Sequence, residues 1–392
     1  PTGHPLTSVK MLIAVILFNK MIHLLVILVS HVCVSFADPN VLFGAVIYRH
    51  GDRTPVDTYP KDPWRNESLW PVKFGELTNL GKSQHYALGQ WLRKRYSHLL
   101  SDGFNPSEIY IRSTDVDRTL MSAEANLAGM YPPSGKNIWN DNIMWQPVPI
   151  HTVPEKQDEV LAMKKKCKAY EEEKQKMLHS KNYQERLHKY KDLMDYISTN
   201  TGREIKDYYD IESIYSILKI ETLYNFTLPN WTHSVYPNKI FSTSAATPTL
   251  ARFIAGPLIK DIVSKMNEYI ANPSKAPKVQ IYSGHDFTIG TLLTGLGLFD
   301  GNCPTYTATI LVELVQDKAK STRAVRISYR DTTEIVEPEV MYIPYCGTTC
   351  SLERFSNLYD KLITVNFDVD CNDPVTIIFL LSTCIRHMAW RR

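Results

Sequence analysis

Three short segments of this 392-residue chain carry side chains whose types and spacing could act together. In Arg49-His50-Gly51-Asp52-Arg53-Thr54-Pro55 a histidine sits between two arginines. Asp115-Val116-Asp117-Arg118 brings a third arginine, and Gly284-His285-Asp286 brings a second histidine and a carboxyl group. The inventory suits transfer of a phosphoryl group. Phosphate needs several fixed positive donors, and arginine's planar fork grips its oxygens in pairs while staying charged. A histidine among arginines stays neutral to lower pH than usual, because like charge disfavours its protonation, and neutral imidazole is a nucleophile. His50 is the candidate for that attack. Gly51, lacking a side chain, would let backbone approach the anion closely. The leaving alcohol needs a proton, which Asp286 can supply as general acid.

Each segment alone has a plainer explanation. A lone His-Asp pair is more often a structural hydrogen bond, and Asp117-Arg118 alone is more often a surface ion pair. Their common placement at strand-to-loop junctions is what points to an enzyme. Leu42 to Tyr48 reads as a buried strand that delivers Arg49-His50 to a loop, and Ile109 to Ile111 as a second. Lys278 to Ser283 reads as a third strand, ending in Gly284-His285-Asp286. In open α/β sheets, ligands bind where loops leave the carboxyl ends of strands. Helices are expected from Leu77 to Leu100 with Thr78 as cap, from Val116 to Met130, from Leu250 to Tyr269 and from Phe287. Thr307 to Val315 and Arg323 to Tyr329 read as two further strands joined by a polar hairpin loop.

The predicted fold is α/β: a central, mostly parallel sheet flanked by helices, with an inserted, mostly helical cap domain. The core is assigned to residues 38–150 and 236–373. The cap is assigned to 151–235, where lysine, glutamate and tyrosine dominate and glycine nearly vanishes. Within it, Lys164-Lys165-Lys166 and Glu171-Glu172-Glu173 read as solvated helix faces.

A net charge of +3 and the lack of a basic stripe with interleaved aromatics exclude a nucleic-acid partner. No metal-ligand cluster is visible. Residues 1–37 read as a signal peptide with upstream translated sequence: an apolar run from Met21 to Val34, then Ser35-Phe36-Ala37 as a cleavage site. Export gives meaning to Cys167, Cys303, Cys346, Cys350, Cys371 and Cys384, and the closeness of Cys346 and Cys350 suggests a local loop clip. Acceptor sequons at Asn66, Asn225 and Asn230 support the same compartment. Residues 374–392 form a short apolar, basic tail, about half the ~20 residues a membrane helix needs. A truncated anchor and a segment packed on the body both fit it.

The segment from Arg49 to Pro55 resembles the signature of the histidine acid phosphatases. Ser113-Thr114-Asp115-Val116-Asp117-Arg118-Thr119 and His285-Asp286 fall where that family carries its other site residues, and the similarity runs from about Val41 to Cys371. The closer likeness is to insect venom acid phosphatases, through Tyr59-Pro60-Lys61-Asp62-Pro63, Trp139-Asn140, Trp145-Gln146-Pro147 and Thr227-Leu228-Pro229-Asn230-Trp231. The resemblance implies that His50 is phosphorylated, that Arg49, Arg53, Arg118 and His285 bind the phosphoryl group, and that Asp286 protonates the leaving oxygen. It implies a small phosphate monoester as substrate and no metal or organic cofactor. It also implies disulfides Cys167–Cys371 and Cys346–Cys350. A third bridge of the family would need cysteines near Ile220 and Thr309. Both are missing, which leaves Cys303 unpaired and Cys384 unassigned.

The sequence therefore reads as a secreted acid phosphatase, with a lysosomal or membrane-anchored form as the alternative location and a homodimer compatible with it. Two other readings stay open. One is a narrow-specificity phosphatase for inositol phosphates, nucleotides or phospholipids; the other is a catalytically silent secreted binding protein of venom or salivary type.

Overall fold

The computed structural model describes residues 38, 40–234, 245–317 and 322–372. The expected signal peptide at 1–37, the tail at 374–392 and Cys384 lie outside them. Val41–Arg49 forms β1, in which every residue but Leu42 is buried. A strand this apolar must be covered on both faces. Phe43, Ala45 and Ile47 point into one core cluster, and Val46 and Tyr48 into another, as the two-residue strand repeat requires.

On one side β1 pairs in parallel with β3 (Val279–Gly284), which pairs in parallel with β2 (Ile109–Ser113). On the other side it pairs antiparallel with β4 (Thr309–Asp317), and β4 with β5 (Thr322–Arg330). The short strands β6 (Glu339–Val340) and β7 (Cys350–Ser351) also join β5 antiparallel. The sheet is thus mixed, not mostly parallel as expected. Its order is β2-β3-β1-β4-β5-β6. The physical reason is that β4 and β5 pair with each other from Thr309↔Arg330 to Asp317↔Thr322, with no room between them for a crossover helix. The parallel half is the part that matters here, because it brings the carboxyl ends of β1, β2 and β3 to one edge.

Helices α1 (Asn79–Arg95) and α2 (Asp117–Met130) supply the cluster around Val46 and Tyr48. Thr78 caps α1, its hydroxyl accepting from Gly81 N at 3.2 Å. Then come α3 (Lys168–Leu178), α4 (Lys181–His188), α5 (Lys191–Thr201) and α6 (Tyr208–Leu223). The last two share a small core of their own, Met194, Ile197, Ile211, Ile214 and Leu218, closed by Tyr59. Glu171-Glu172-Glu173 lies on α3 as expected. Lys164-Lys165-Lys166 does not lie on a helix; it forms the irregular stretch before α3.

The opposite face of the sheet is covered by α7 (Pro248–Ile254), α8 (Gly256–Ala271) and α9 (Asp286–Gly295). The single helix expected from Leu250 to Tyr269 is two, divided at Ala255. Pro257 sits in the first turn of α8, where its missing N–H costs nothing. Both implied disulfides are present, Cys167–Cys371 and Cys346–Cys350. Cys303 forms no disulfide among the described residues.

Candidate active site

Register aligns the three chemical segments. Arg49 at the end of β1 pairs with Gly284 at the end of β3, and Ser113 of β2 pairs with Ser283. The backbone of His50 is held from both sides: its N–H donates to Gly284 O at 3.0 Å, and its carbonyl accepts from Thr307 N at 3.3 Å. Arg118 comes from the first turn of α2, and His285-Asp286 opens α9. Residues far apart in sequence therefore converge because three parallel strands end together.

The His50 side chain is buried, 1% exposed. Its Nδ1 lies 2.9 Å from Gly51 O. A carbonyl only accepts, so Nδ1 carries the proton and Nε2 keeps its lone pair. Burial first, then the charges of Arg49, Arg118 and Arg53, hold the ring's pKa well below 6.5. The result is a neutral imidazole with a free nitrogen, among cations, in acid.

The arginines are fixed by the protein rather than by solvent. Arg49 donates from Nη1 to Pro304 O, pairs through Nη2 with Asp286 Oδ2 at 2.8 Å, and lies 4.5 Å above the Tyr306 ring. Arg53 donates from Nη1 to Thr54 O at 2.9 Å. The Nε of Arg49, Arg53 and Arg118 is buried and donates to no group among the described residues. Three guanidinium groups with donors to spare suit an anion with several oxygens. Arg118 is pushed down to about 10, by burial and by Arg53.

His285 is oriented by its neighbours. Arg118 Nη2 can only donate, so His285 Nδ1 at 3.4 Å accepts, and Nε2–H donates to Thr114 Oγ1 at 3.0 Å. Burial and Arg118 lower its pKa to about 3. Asp286 is the opposite case. Burial alone would raise its pKa, but Arg49, Arg53 and His285 outweigh that and hold it below the ordinary carboxyl value.

All six residues proposed from sequence meet here. Gly51 has a packing reason that the sequence did not show. A Cβ on it would lie 2.4 Å from Gly81 O, so its lack of a side chain serves to seat the loop on α1. Sequence reasoning missed Tyr306, which lies under Arg49 with its ring centroid 6.0 Å from that of His50. It also missed Tyr224, whose hydroxyl donates to Asp52 Oδ2 at 2.6 Å and ties the end of α6 to the His50 loop. Neither had a local motif to reveal it. Among the described residues, no three His, Cys, Asp or Glu side chains gather as metal ligands.

The parallel strand ends, the buried histidine and the three arginines define a phosphate-handling α/β enzyme. The chain belongs to the histidine phosphatase superfamily (branch 2), whose model matches residues 41–330. Within it the protein is a histidine acid phosphatase, a hydrolase of phosphomonoesters. It is 38% identical over 341 residues to mouse prostatic acid phosphatase, covering 84% of this chain and 88% of that one. To human lysosomal acid phosphatase it is 33% identical over 363 residues, covering 88% and 84%. Hafnia alvei phytase in complex with tartrate shares the fold, with a TM-score of 0.59 at 18% identity, over 83% of this chain and 97% of that one.

Proposed function

We propose that this acid phosphatase works through a covalent phosphohistidine on His50. The observation that carries the reading is the Nδ1–Gly51 O contact, which leaves Nε2 as the free nitrogen among the arginines. Nε2 attacks phosphorus while the bond to the leaving oxygen breaks. Asp286 gives that oxygen its proton. Water then attacks the phosphohistidine, the P–N bond breaks, and Asp286 takes the water's proton as phosphate leaves. Arg49, Arg53, Arg118 and His285 hold the phosphoryl oxygens and the charge that builds on them. His50→Ala is expected to lower kcat by about 10⁴-fold or more. Full activity in that variant would end the proposal.

Beside Asp286 and Arg49 lies a cavity of about 250 Å³, walled by Tyr215, Lys219 and Leu223 of α6 together with Tyr306 and Asp331. It is the place for the leaving group. Its size, below that of pockets enclosing drug-sized ligands, favours small alcohols over phospholipids. Comparing kcat/KM for phenyl phosphate and a long-chain phosphomonoester tests this. We assign residues 151–235 as the cap over a core of 38–150 and 236–373, supported by the helices α3 to α6.

The two disulfides and the prostatic and lysosomal relatives point to the secretory pathway. Among the described residues no helix is long and apolar enough to cross a membrane. Secretion and glycosylation are proposed: Asn66, Asn225 and Asn230 are all exposed and accessible to a transferase. A shift in mass on deglycosylation would support this. The venom-type relation rests on the four segments quoted above and is kept with them as a proposal. A homodimer is proposed from the exposed Trp139, Met144 and Trp145, large apolar side chains that a partner would cover. Sedimentation of the wild type and Trp145→Glu tests it.

A further inference from the structure

A second cavity, of about 570 Å³, shares no lining residue with the pocket beside Asp286. Its floor is apolar: Met163, Tyr170, Phe253, Ile254 and Phe367. Its remaining lining is mostly charged. Lys156, Lys164, Lys165 and Lys166 line it together with Glu159, Glu171 and the disulfide-bonded Cys167. Lys164 pairs with Glu155, and Lys165 with Glu159 and Asp368, while its ammonium lies 5.2 Å from the Phe367 ring. Lys156 and Lys166 have no carboxylate partner among the described residues.

The loop that builds this wall is fixed from inside. Asp158, fully buried, accepts from the N–H groups of Val160, Leu161 and Ala162 at 2.9–3.0 Å, and from Arg112 Nη2 at 2.6 Å. So anchored, the chain enters the left-handed region at Met163, φ 57°, a conformation unusual for a residue with a side chain. Strain of this kind persists where surrounding structure over-determines it, and it collects at ligand sites. The same loop touches the catalytic centre: Thr288 Oγ1 donates to Leu161 O at 3.3 Å and accepts from His285 N at 3.1 Å.

We propose that this cavity binds a single-chain anionic amphiphile, its alkyl chain on the apolar floor and its carboxylate, sulfate or phosphate head beside Lys156 and Lys166. Lys156 and Lys166 carry charge that no carboxylate among the described residues neutralises, and an anion would supply the counter-charge. An inorganic anion would leave the apolar floor wet, and a neutral lipid would leave Lys156 and Lys166 unpaired. A concave site of this volume encloses one molecule rather than lying on a surface of many.

Laurate is the probe, because it carries no phosphate and cannot be turned over. Titration calorimetry of the full chain with laurate below its micelle concentration should show one saturable site, unchanged by vanadate held in the catalytic pocket. Lys156→Glu/Lys166→Glu, both exposed positions, should weaken it about tenfold with an unchanged thermal midpoint. Ile254→Trp, which fills the floor, should weaken it without touching charge. Absence of saturable binding would overturn the proposal, as would equal affinity in the lysine variant or competition by vanadate. So would binding only to phosphatidylserine vesicles, which would mark a membrane-facing patch instead. Failure here leaves the His50 mechanism standing, since that is read from turnover.

Discussion

Arg49 Nη2 lies 2.8 Å from Asp286 Oδ2, and this ion pair joins the proposed phosphate-binding arm to the proposed proton donor. The pair keeps Asp286 charged in the free enzyme. A phosphate dianion drawn onto Arg49 weakens that hold and adds its own negative charge nearby, so the carboxyl takes up a proton as substrate binds. On the proposed mechanism, substrate loads its own general acid.

Asp286→Asn should therefore lose activity in proportion to how much the leaving group needs a proton. With alkyl phosphates kcat is expected to fall by about 10²–10⁴-fold, and with p-nitrophenyl phosphate by far less. Equal losses on both would remove Asp286 from that role.

The pH profile follows from the same groups. His50 is held well below 6.5 and His285 at about 3, so both stay neutral and able to act throughout mild acid. kcat/KM should show no imidazole-like loss as pH falls through 6.5. The alkaline limb of kcat should lie above the ordinary carboxyl range, since it reports Asp286 beside bound phosphate. An acid limb near 6.5 would show that the field of the three arginines does not reach His50.

Stability has its own acid bias. Glu221, buried against Asp62, is raised by burial and then by Asp62 to about 8, from an ordinary 4.5. Between those values the folded chain holds a proton the unfolded chain has lost. Stability from this group is complete below 4.5 and declines as pH rises to 8. His85 works in reverse: burial lowers it to about 3, so stability declines as pH falls from 6.5. Glu221→Gln should raise the thermal midpoint by a few degrees at pH 7.5 and hardly at all at pH 4.5. The same gain at both values would show that Glu221 does not titrate.

Much of the site was legible in the sequence because strand ends leave local marks. Apolar runs break at Arg49-His50, Arg112-Ser113 and Gly284-His285, and each break falls within two residues of an observed strand end. What was hidden depends on contacts across long stretches of chain. Arg49 meets Pro304 across 255 positions, and Tyr224 meets Asp52 across 172. Lys164-Lys165-Lys166 looked like a helix face because charge alone carries no period, and only the Asp158 anchor shows why the loop turns there. The antiparallel pairing of β4 with β5 was legible in the polar hairpin loop between them; what carried no local mark is that β4 also joins β1 antiparallel, which makes the sheet mixed.

The most direct test is rapid quenching of enzyme mixed with ³²P-labelled p-nitrophenyl phosphate. Wild type should carry label that survives base and is lost in acid, on the peptide containing His50, and His50→Ala should carry none. Rapid turnover by wild type with no label at any quench time, or label retained in His50→Ala, would contradict a phosphohistidine at this position.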